Sequence, residues 1–485
     1  MMLPETHDYK DTVEFYINYD FTLLDIDINE FDDEYIKQYV KRSSFDFVLI
    51  GTLVTHYKWM KWFVNTVKEN QPNTKIIVGN SVASSIPELF LTKTKADVAI
   101  IGEGEISAYE TVEALRLEKN LKTVEGIAFK DNDEKFVQNE PRKVGNINDF
   151  PIIDWDFFDV ERYLRKPVVN LDRNLKREEM RTLPVITARG CAFKCTFCHY
   201  VFWNDPYRNR KPDSILEEIK FLMKKYDVNY IEFWDDLSFA SAIQVEKLCD
   251  AIIENNLKFK WNASVRVDLF SRANLTVDDS IRVAKKMKQA GCYQVGFSLE
   301  SGNQEILEMM NKKIEADSFY NTIYILRQAD IICETSVVFG YPIETKETIK
   351  ETFDQCLKAG VYPSIGFLLP LPATGMYDYA KVNGFITDED KYLESITERQ
   401  DICINLTKLS DNEIMDEIKK GAAQLNDMLE LGLNEDTYIK TKGYQNAKVK
   451  KKLVKPLDPE KMERIENDVT FNYSATEFKF EGNTQ

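Results

Sequence analysis

Three of the chain's eight cysteines, Cys191, Cys195 and Cys198, fall within the short stretch RGCAFKCTFCHY. Soft thiolates crowded onto one loop call for a thiophilic metal centre. An odd number of them does not suit disulfides. A closed zinc site takes four ligands, commonly as two pairs, and no second Cys-x2-Cys or His pair follows. Three cysteines do suit an iron–sulfur cluster, in which three irons are held by thiolates and a fourth is open to an outside ligand. Cys249, Cys292, Cys333, Cys356 and Cys403 are scattered through apolar segments and read as buried hydrophobes. His7, His56 and His199 are the only histidines, too few for a histidine-built zinc site or proton relay.

The elements around this loop read as a run of strand–helix pairs. Short apolar segments at 183–189, 229–234, 260–266, 293–300, 333–340 and 364–370 alternate with amphipathic ones at 213–226, 241–256, 278–290, 303–328, 344–360 and 375–384. Pro212-Asp213-Ser214 and the Thr345-x-x-Thr348 run mark helix starts. Six such units predict a partial (β/α)6 barrel, whose site lies at the carboxyl ends of the strands. Polar and turn residues gather there: the cysteine loop, Asp235-Asp236, Arg266 with Asp268, Glu300-Ser301-Gly302, Gly340-Tyr341-Pro342, and Pro370, Pro372 and Thr374. Asp235 and Asp236 read alternatively as a helix N-cap or a hard-metal pair.

The Cys-x3-Cys-x2-Cys spacing, with Phe197 before the last cysteine, resembles the cluster loop of the radical S-adenosylmethionine (SAM) superfamily. FWDDLSF, WNASVRVD, GCYQVGFSLESGNQEILEMMNK, FGYPIETKETIKET and LLPLPATGMYDYA resemble segments of the members that carry a cobalamin-binding domain. The likeness spans about residues 20 to 410. It implies a [4Fe–4S] cluster on Cys191, Cys195 and Cys198. SAM would chelate the open iron, be held by Asp235, Arg266, Glu300 and Gly340, and yield a 5′-deoxyadenosyl radical. It also implies an electron donor such as flavodoxin or ferredoxin. An arginine suits a carboxylate, and a glutamate an amino group or ribose hydroxyls.

The first 146 residues read as a separate doubly wound parallel sheet. Its strands are 46–52, 74–79 and 96–102, its helices 57–70 and 105–118, with a further strand at 21–28 and a hairpin-like VEGIAFKDNDEKFVQN. Residues 147–180 read as a linker, 181–390 as the barrel, and 391–485 as a helical extension with a disordered end. The first unit resembles the cobalamin-binding domain found upstream of such barrels. By that resemblance Gly51, Thr52, Gly79, Gly102 and Glu103 would border cobalamin. GNSV (79–82) stands where the family has Gly-Gly-x-His, no Asp-x-His-x-x-Gly motif supplies a histidine below the cobalt, and the family's first apolar strand has no counterpart before residue 21.

Of the 485 residues 44% are hydrophobic and 29% charged, the balance of a globular protein of two to four domains. The formal net charge of −17 argues against a polyanionic partner, whether nucleic acid or anionic membrane. The basic stretch 440–455 reads as a solvated tail. No run of about 18 apolar residues is long enough to span a bilayer. The acidic start is not a signal peptide, which points to the cytosol. The function expected is cobalamin-dependent methyl transfer to an unactivated carbon of a small molecule or lipid. Two alternatives stay open: a cobalamin-free radical SAM enzyme performing a cyclisation or rearrangement, and a non-catalytic fragment that depends on a partner.

Overall fold

The computed structural model describes residues 19–165, 179–199, 205–270, 275–396 and 401–439. They fall into two compact units. The first comprises 19–163 together with 205 and 388–395, and the second 164–199, 206–387 and 396–439.

In the first unit β1 (Phe47–Gly51), β2 (Lys75–Gly79), β3 (Val98–Ile100), β4 (Ile127–Lys130) and β5 (Phe136–Gln138) lie side by side in that order. β1, β2 and β3 are parallel, and β4 and β5 join antiparallel. The sheet is therefore mixed, which corrects the expectation of a doubly wound parallel sheet. Part of the reason is local. The carboxylate of Asp131 accepts hydrogen bonds from the amides of Asp133 and Lys135 at 2.9 and 3.0 Å, and Glu134 adopts φ +61°. That tight turn sets β5 antiparallel to β4; β4 itself runs antiparallel beside β3 although the helix Gly104–Arg116 lies between them.

The strand expected at 21–28 is also absent. Asp25 caps a short helix, Ile26–Asn29, by accepting from the Ile28 amide at 3.2 Å. Short polar side chains at 25, 27 and 29 compete with ladder formation. Residues 147–163, read as linker, pack into this unit through the buried Trp155, and Arg162 donates to Asn29 Oδ1 at 2.8 Å. The helix Glu389–Ser395 joins it as well, because Asp390 receives the Tyr57 hydroxyl at 2.6 Å and Lys61 Nζ at 2.8 Å.

The second unit is built on six parallel strands. These are β6 (Thr182–Val185), β9 (Tyr230–Phe233), β10 (Lys260–Ser264), β11 (Cys292–Glu300), β12 (Ile332–Phe339) and β13 (Ser364–Phe367), adjacent in chain order. Two short strands, β7 (Ala188–Arg189) and β8 (Arg208–Asn209), pair antiparallel and close the base of the cysteine loop. Helices follow the strands as expected, with Pro212 opening Pro212–Tyr226 and a Thr345–Thr348 capping box opening Lys346–Lys358.

One helix differs. The run 303–328 is two helices, Gln304–Met309 and Ser318–Arg327, because Asn311 and Lys313 take left-handed conformations at φ +51° and +53°. The carboxy-terminal helix Asp411–Met428 packs on Lys346–Lys358. The approach is so close that a Cβ on Gly421 would sit 2.1 Å from the Phe353 ring. Among the described residues no helix is long and apolar enough to cross a membrane. Residues 440–455 and the end of the chain lie outside the described residues.

Candidate active site

The cysteine loop leaves the sheet after β7 through Gly190 at φ +76°. A Cβ there would meet the Pro206 carbonyl oxygen at 3.3 Å, so the two limbs of the loop pass at glycine distance. Its centre is stapled to the end of the helix Gln304–Met309 and to the start of the helix Gly375–Val382. Thr196 donates its amide to Met310 O at 2.9 Å and its hydroxyl to Met309 O at 3.0 Å. Asn311 Nδ2 donates to Lys194 O at 2.6 Å, and the Met376 amide to Thr196 O at 2.9 Å. The Cys198 amide bonds Cys195 O at 3.2 Å, turning the two thiols of the Cys-x2-Cys pair together.

Among the described residues no three His, Cys, Asp or Glu side chains converge tightly enough to chelate one ion. The three thiols stand instead at electrostatic range of one another. Burial, helped by the neighbouring Cys195, Cys191 and Asp236, pushes the Cys198 thiol up to about 12. Cys195 is raised mainly by burial, while the positive charges of Lys312 and Arg266 pull it down. A buried thiol of this kind ionises when a metal takes the place of its proton.

The residues picked out from the sequence meet around this loop with unequal roles. Asp235 is engaged with the sheet: its carboxylate accepts the Thr187 amide at 2.7 Å, the Ala188 amide at 2.9 Å and the Thr187 hydroxyl at 2.6 Å. It caps the end of β6 rather than a helix, since Ser241 caps Ala242–Glu254. Arg266 lays its guanidinium 3.5 Å from the centroid of Phe193, within the cysteine loop, and bonds Asp268 at 3.1 Å and the Lys312 carbonyl. Glu300 sits at a register shift of β11 with φ +65°, an unfavourable backbone for a side-chain-bearing residue. Its carboxylate, 5% exposed as a residue, accepts from Lys312 Nζ at 2.7 Å. Gly302, two residues on, is required by packing, since a Cβ would lie 2.5 Å from Glu351 O.

Lys312 is the site residue that sequence reasoning missed. It lies in the MMNKK turn inside what reads as continuous helix, and only the two left-handed residues flanking it deliver its ammonium to Glu300 and over the Phe197 ring at 5.8 Å. Tyr341 closes the other side, its hydroxyl 3.2 Å from Thr196 Oγ1 and its ring edge-on to Phe197. Gly340, at φ +103°, donates its amide to Glu344 at 3.2 Å.

In the first unit, Gly51 and Gly79 end β1 and β2, Thr52 follows β1, and Gly102 and Glu103 lie just past the end of β3. Nothing lies within 4 Å of where a Cβ on Gly79 or Gly102 would be, and Gly102 has φ +78°. The Thr52 hydroxyl is buried without a hydrogen-bond partner. The Gly102 amide is held by Ser84 Oγ at 3.0 Å, and the Val54 amide by Ser81 Oγ at 2.8 Å. Bare backbone and an orphaned hydroxyl at a parallel sheet's carboxyl edge form a cradle for a large polar ligand.

Residues 185–356 match the radical SAM superfamily, and residues 13–112 match the B12 binding domain. The chain is a radical SAM enzyme with a B12-binding domain. An uncharacterized methyltransferase, PH0819, of Pyrococcus horikoshii is 27% identical over 351 residues, 71% of this chain and 72% of the relative. The fold of this radical SAM enzyme resembles that of TsrM from Kitasatospora setae, a radical SAM methyltransferase with cobalamin and a [4Fe–4S] cluster bound. The TM-score is 0.58 at 14% identity over 77% of this chain and 71% of that one. It also resembles OxsB, a cobalamin-dependent SAM radical enzyme, with a TM-score of 0.57 at 19% identity over 77% of this chain; of OxsB the chain spans 50%. Other relatives carry the name anaerobic magnesium-protoporphyrin IX monomethyl ester cyclase, and of the one from Cereibacter sphaeroides the chain spans 40%.

Membership in the radical SAM superfamily implies a [4Fe–4S] cluster and SAM, and the B12-binding domain suggests cobalamin. The donor set of the radical SAM enzyme fits the first: three buried or half-buried thiols with two cations in electrostatic reach. The open cradle over Gly79 and Gly102 fits the second.

Glu344 makes the loop after β12 sensitive to pH. Burial raises its carboxyl to about 7 from an ordinary 4.5, against hydrogen bonds from Thr348 and the amides of Gly340 and Tyr341 that lower it. The folded state therefore favours the protonated form. The stability this contributes is complete below about pH 4.5 and is lost as pH rises through about 7. Glu344→Gln should flatten the dependence of Tm on pH across that window. Parallel melting curves for the variant and the parent protein from pH 5 to 8 would refute the assignment.

Proposed function

We propose that the chain catalyses cobalamin-dependent methyl transfer to an unactivated carbon of a small molecule. In this reading the six strands curve into the partial barrel, and Cys191, Cys195 and Cys198 hold the cluster. Bound there, cluster and SAM would supply a 5′-deoxyadenosyl radical, and cobalamin a methyl carrier.

The chain's own residues do the positioning. Arg266, fixed by Asp268 and stacked on Phe193, ties the cysteine loop to β10 and offers a cation for the methionine carboxylate. Glu300 presents a carboxylate for the amino group or ribose, with Lys312 balancing its charge. Asp235 holds the end of β6 from which the loop departs, so its part is positioning. The backbone around Gly340 and Tyr341 borders the adenosine, and Phe193, Phe197 and Tyr341 exclude water. The cradle at Gly51, Thr52, Gly79, Gly102 and Glu103 takes the corrinoid. A one-electron reductant, such as flavodoxin or ferredoxin, is the expected partner.

The observation that carries the reading is the convergence of the three-thiol loop with Arg266, Glu300 and Lys312 in one unit, next in sequence to a B12-binding domain. The test is bound corrinoid per chain after anaerobic production with cobalamin and cluster reconstitution. About one corrinoid with roughly four irons is expected. An intact cluster without corrinoid would redirect the reading to a cobalamin-free cyclisation or rearrangement, the class to which the name cyclase among the relatives belongs.

A further inference from the structure

We propose that the substrate is a compact, hydroxyl-rich ring of the sugar or cyclitol kind, stacked on Trp234 at the face of the six-stranded sheet that turns away from the helices. This deepens the radical SAM reading above and rests on it.

The two faces of the sheet are separated by aromatic contacts. Trp261 donates its indole N–H to Ala290 O beside the helix Val277–Gln289, and Phe233 packs on Trp261 with ring centroids 5.3 Å apart. Phe297 meets Phe319 of Ser318–Arg327 at 6.0 Å, and Phe339 stacks on Phe353 of Lys346–Lys358 at 5.5 Å. Side chains alternate along a strand, so the neighbours of these residues face the other way. That opposite set includes Trp234, Ser264, Gln294, Gly296, Ser298 and Ser336, together with the carboxylates of Glu232 and Glu334 that the same alternation places there. Register places Ser264 across from Gly296 and Ser298 across from Ser336, while Gln294 lies opposite Asn262.

This face is largely polar where a closed core would carry mostly branched aliphatics. Three features in it point to a ligand. Trp234 is 54% exposed, an indole surface with no partner ring among the described residues. Indole faces pair with the C–H faces of sugar rings, because the ring keeps its hydroxyls in plane while burying apolar hydrogens. The space in front is open. Ser264 is exposed, and a Cβ on Gly296 would meet only Ala263 O, at 3.9 Å.

The third feature is Gln294, 2% exposed, whose Oε1 is buried with no hydrogen-bond partner. A buried carbonyl oxygen without a donor is costly, and a ligand hydroxyl would satisfy it. The Ser298 and Ser336 hydroxyls, 2.7 Å apart, use one proton between them and keep a donor and acceptors for a third group. An alkyl chain in the same place would leave Gln294 Oε1 and the serines unmatched, which makes the face a poor host for a lipid tail.

The test uses the full-length reconstituted protein, titrated with myo-inositol and N-acetylglucosamine, and in parallel with decanoate and protoporphyrin IX. Binding is followed by calorimetry and by tryptophan fluorescence. A hydroxylated ring is expected to bind saturably and to perturb the fluorescence. Trp234→Ala should abolish the spectral change and weaken binding about tenfold or more, and Gln294→Leu, close in volume, about tenfold. Decanoate or protoporphyrin binding in place of the rings, no ring binding at all, or ring binding equal in both variants and the parent would each overturn the proposal. Iron content and SAM binding of the same preparation report separately on the reaction. A chain that loads iron and binds SAM yet ignores the rings sinks only the substrate class. One that loads no iron sinks the radical SAM reading, whatever the rings do.

Discussion

Cys198→Ala is expected to reduce bound iron from roughly four atoms per chain to near none, and with it to abolish the cleavage of SAM to 5′-deoxyadenosine. On the proposed reading the loop acts as a single donor set; Cys195 and Cys198 are joined by a backbone hydrogen bond, and Cys198 feels the charge of Cys195. Two thiolates leave a cubane with two open irons, which solvent and oxygen attack. Cys249 is the control. It is as cysteine-like and more deeply buried, with its thiol pushed up to about 12 by burial in the helix Ala242–Glu254. Cys249→Ala should retain full iron and full SAM cleavage. Iron assay and electron paramagnetic resonance of the reduced protein read the outcome. A Cys198→Ala protein with a complete cluster and wild-type cleavage would remove this loop from the chemistry.

Lys312→Met carries the next largest effect, and it falls on stability and chemistry at once. The Lys312–Glu300 pair has side-chain exposures of only 11% and 6%. Removing one partner leaves the other charge buried without compensation, a loss of about 3–5 kcal/mol. Glu300 also holds φ +65°, which the pair helps to fix. The double variant Lys312→Met/Glu300→Gln should recover most of that stability, because no buried charge remains. It should not recover SAM cleavage, since a neutral amide cannot take the amino group or ribose as a carboxylate does. Urea denaturation of the two variants separates the readings. Equal stability of Lys312→Met and the parent protein would show that the pair is not buried in solution, and full cleavage by the double variant would show that neither charge serves SAM.

Much of the molecule was legible in its amino acids. The Cys-x3-Cys-x2-Cys spacing sets three donors on one loop whatever surrounds it. The apolar runs at 229–234, 260–266 and 333–340 became β9, β10 and β12, because a short apolar run is a property of a few consecutive residues. The Thr345–Thr348 box opens its helix for the same reason: a cap is made within four residues. The family resemblance followed from such short stretches, and the domain matches agree with it.

Other features depended on contacts between distant parts of the chain. Asp235 sits on the predicted rim, but its role passes to Thr187 and Ala188, 48 and 47 residues earlier. The doubly wound sheet became mixed because β4 pairs antiparallel with β3 across the helix Gly104–Arg116, a pairing between segments some thirty residues apart; the strand expected at 21–28, by contrast, was lost locally, to the cap at Asp25. The residues 388–395 returned to the first unit through Asp390 and Lys61, 329 residues apart.

Sequence alone determined most of the residues that could do chemistry and where most strands and helices lie, since both are encoded by type and short-range spacing. Only the tertiary structure decided that Lys312 joins them. Periodicity extends a helix through 310–317, and the break that turns its ammonium onto Glu300 exists because Thr196 and Arg266 take the backbone carbonyls that a continuous helix would have used.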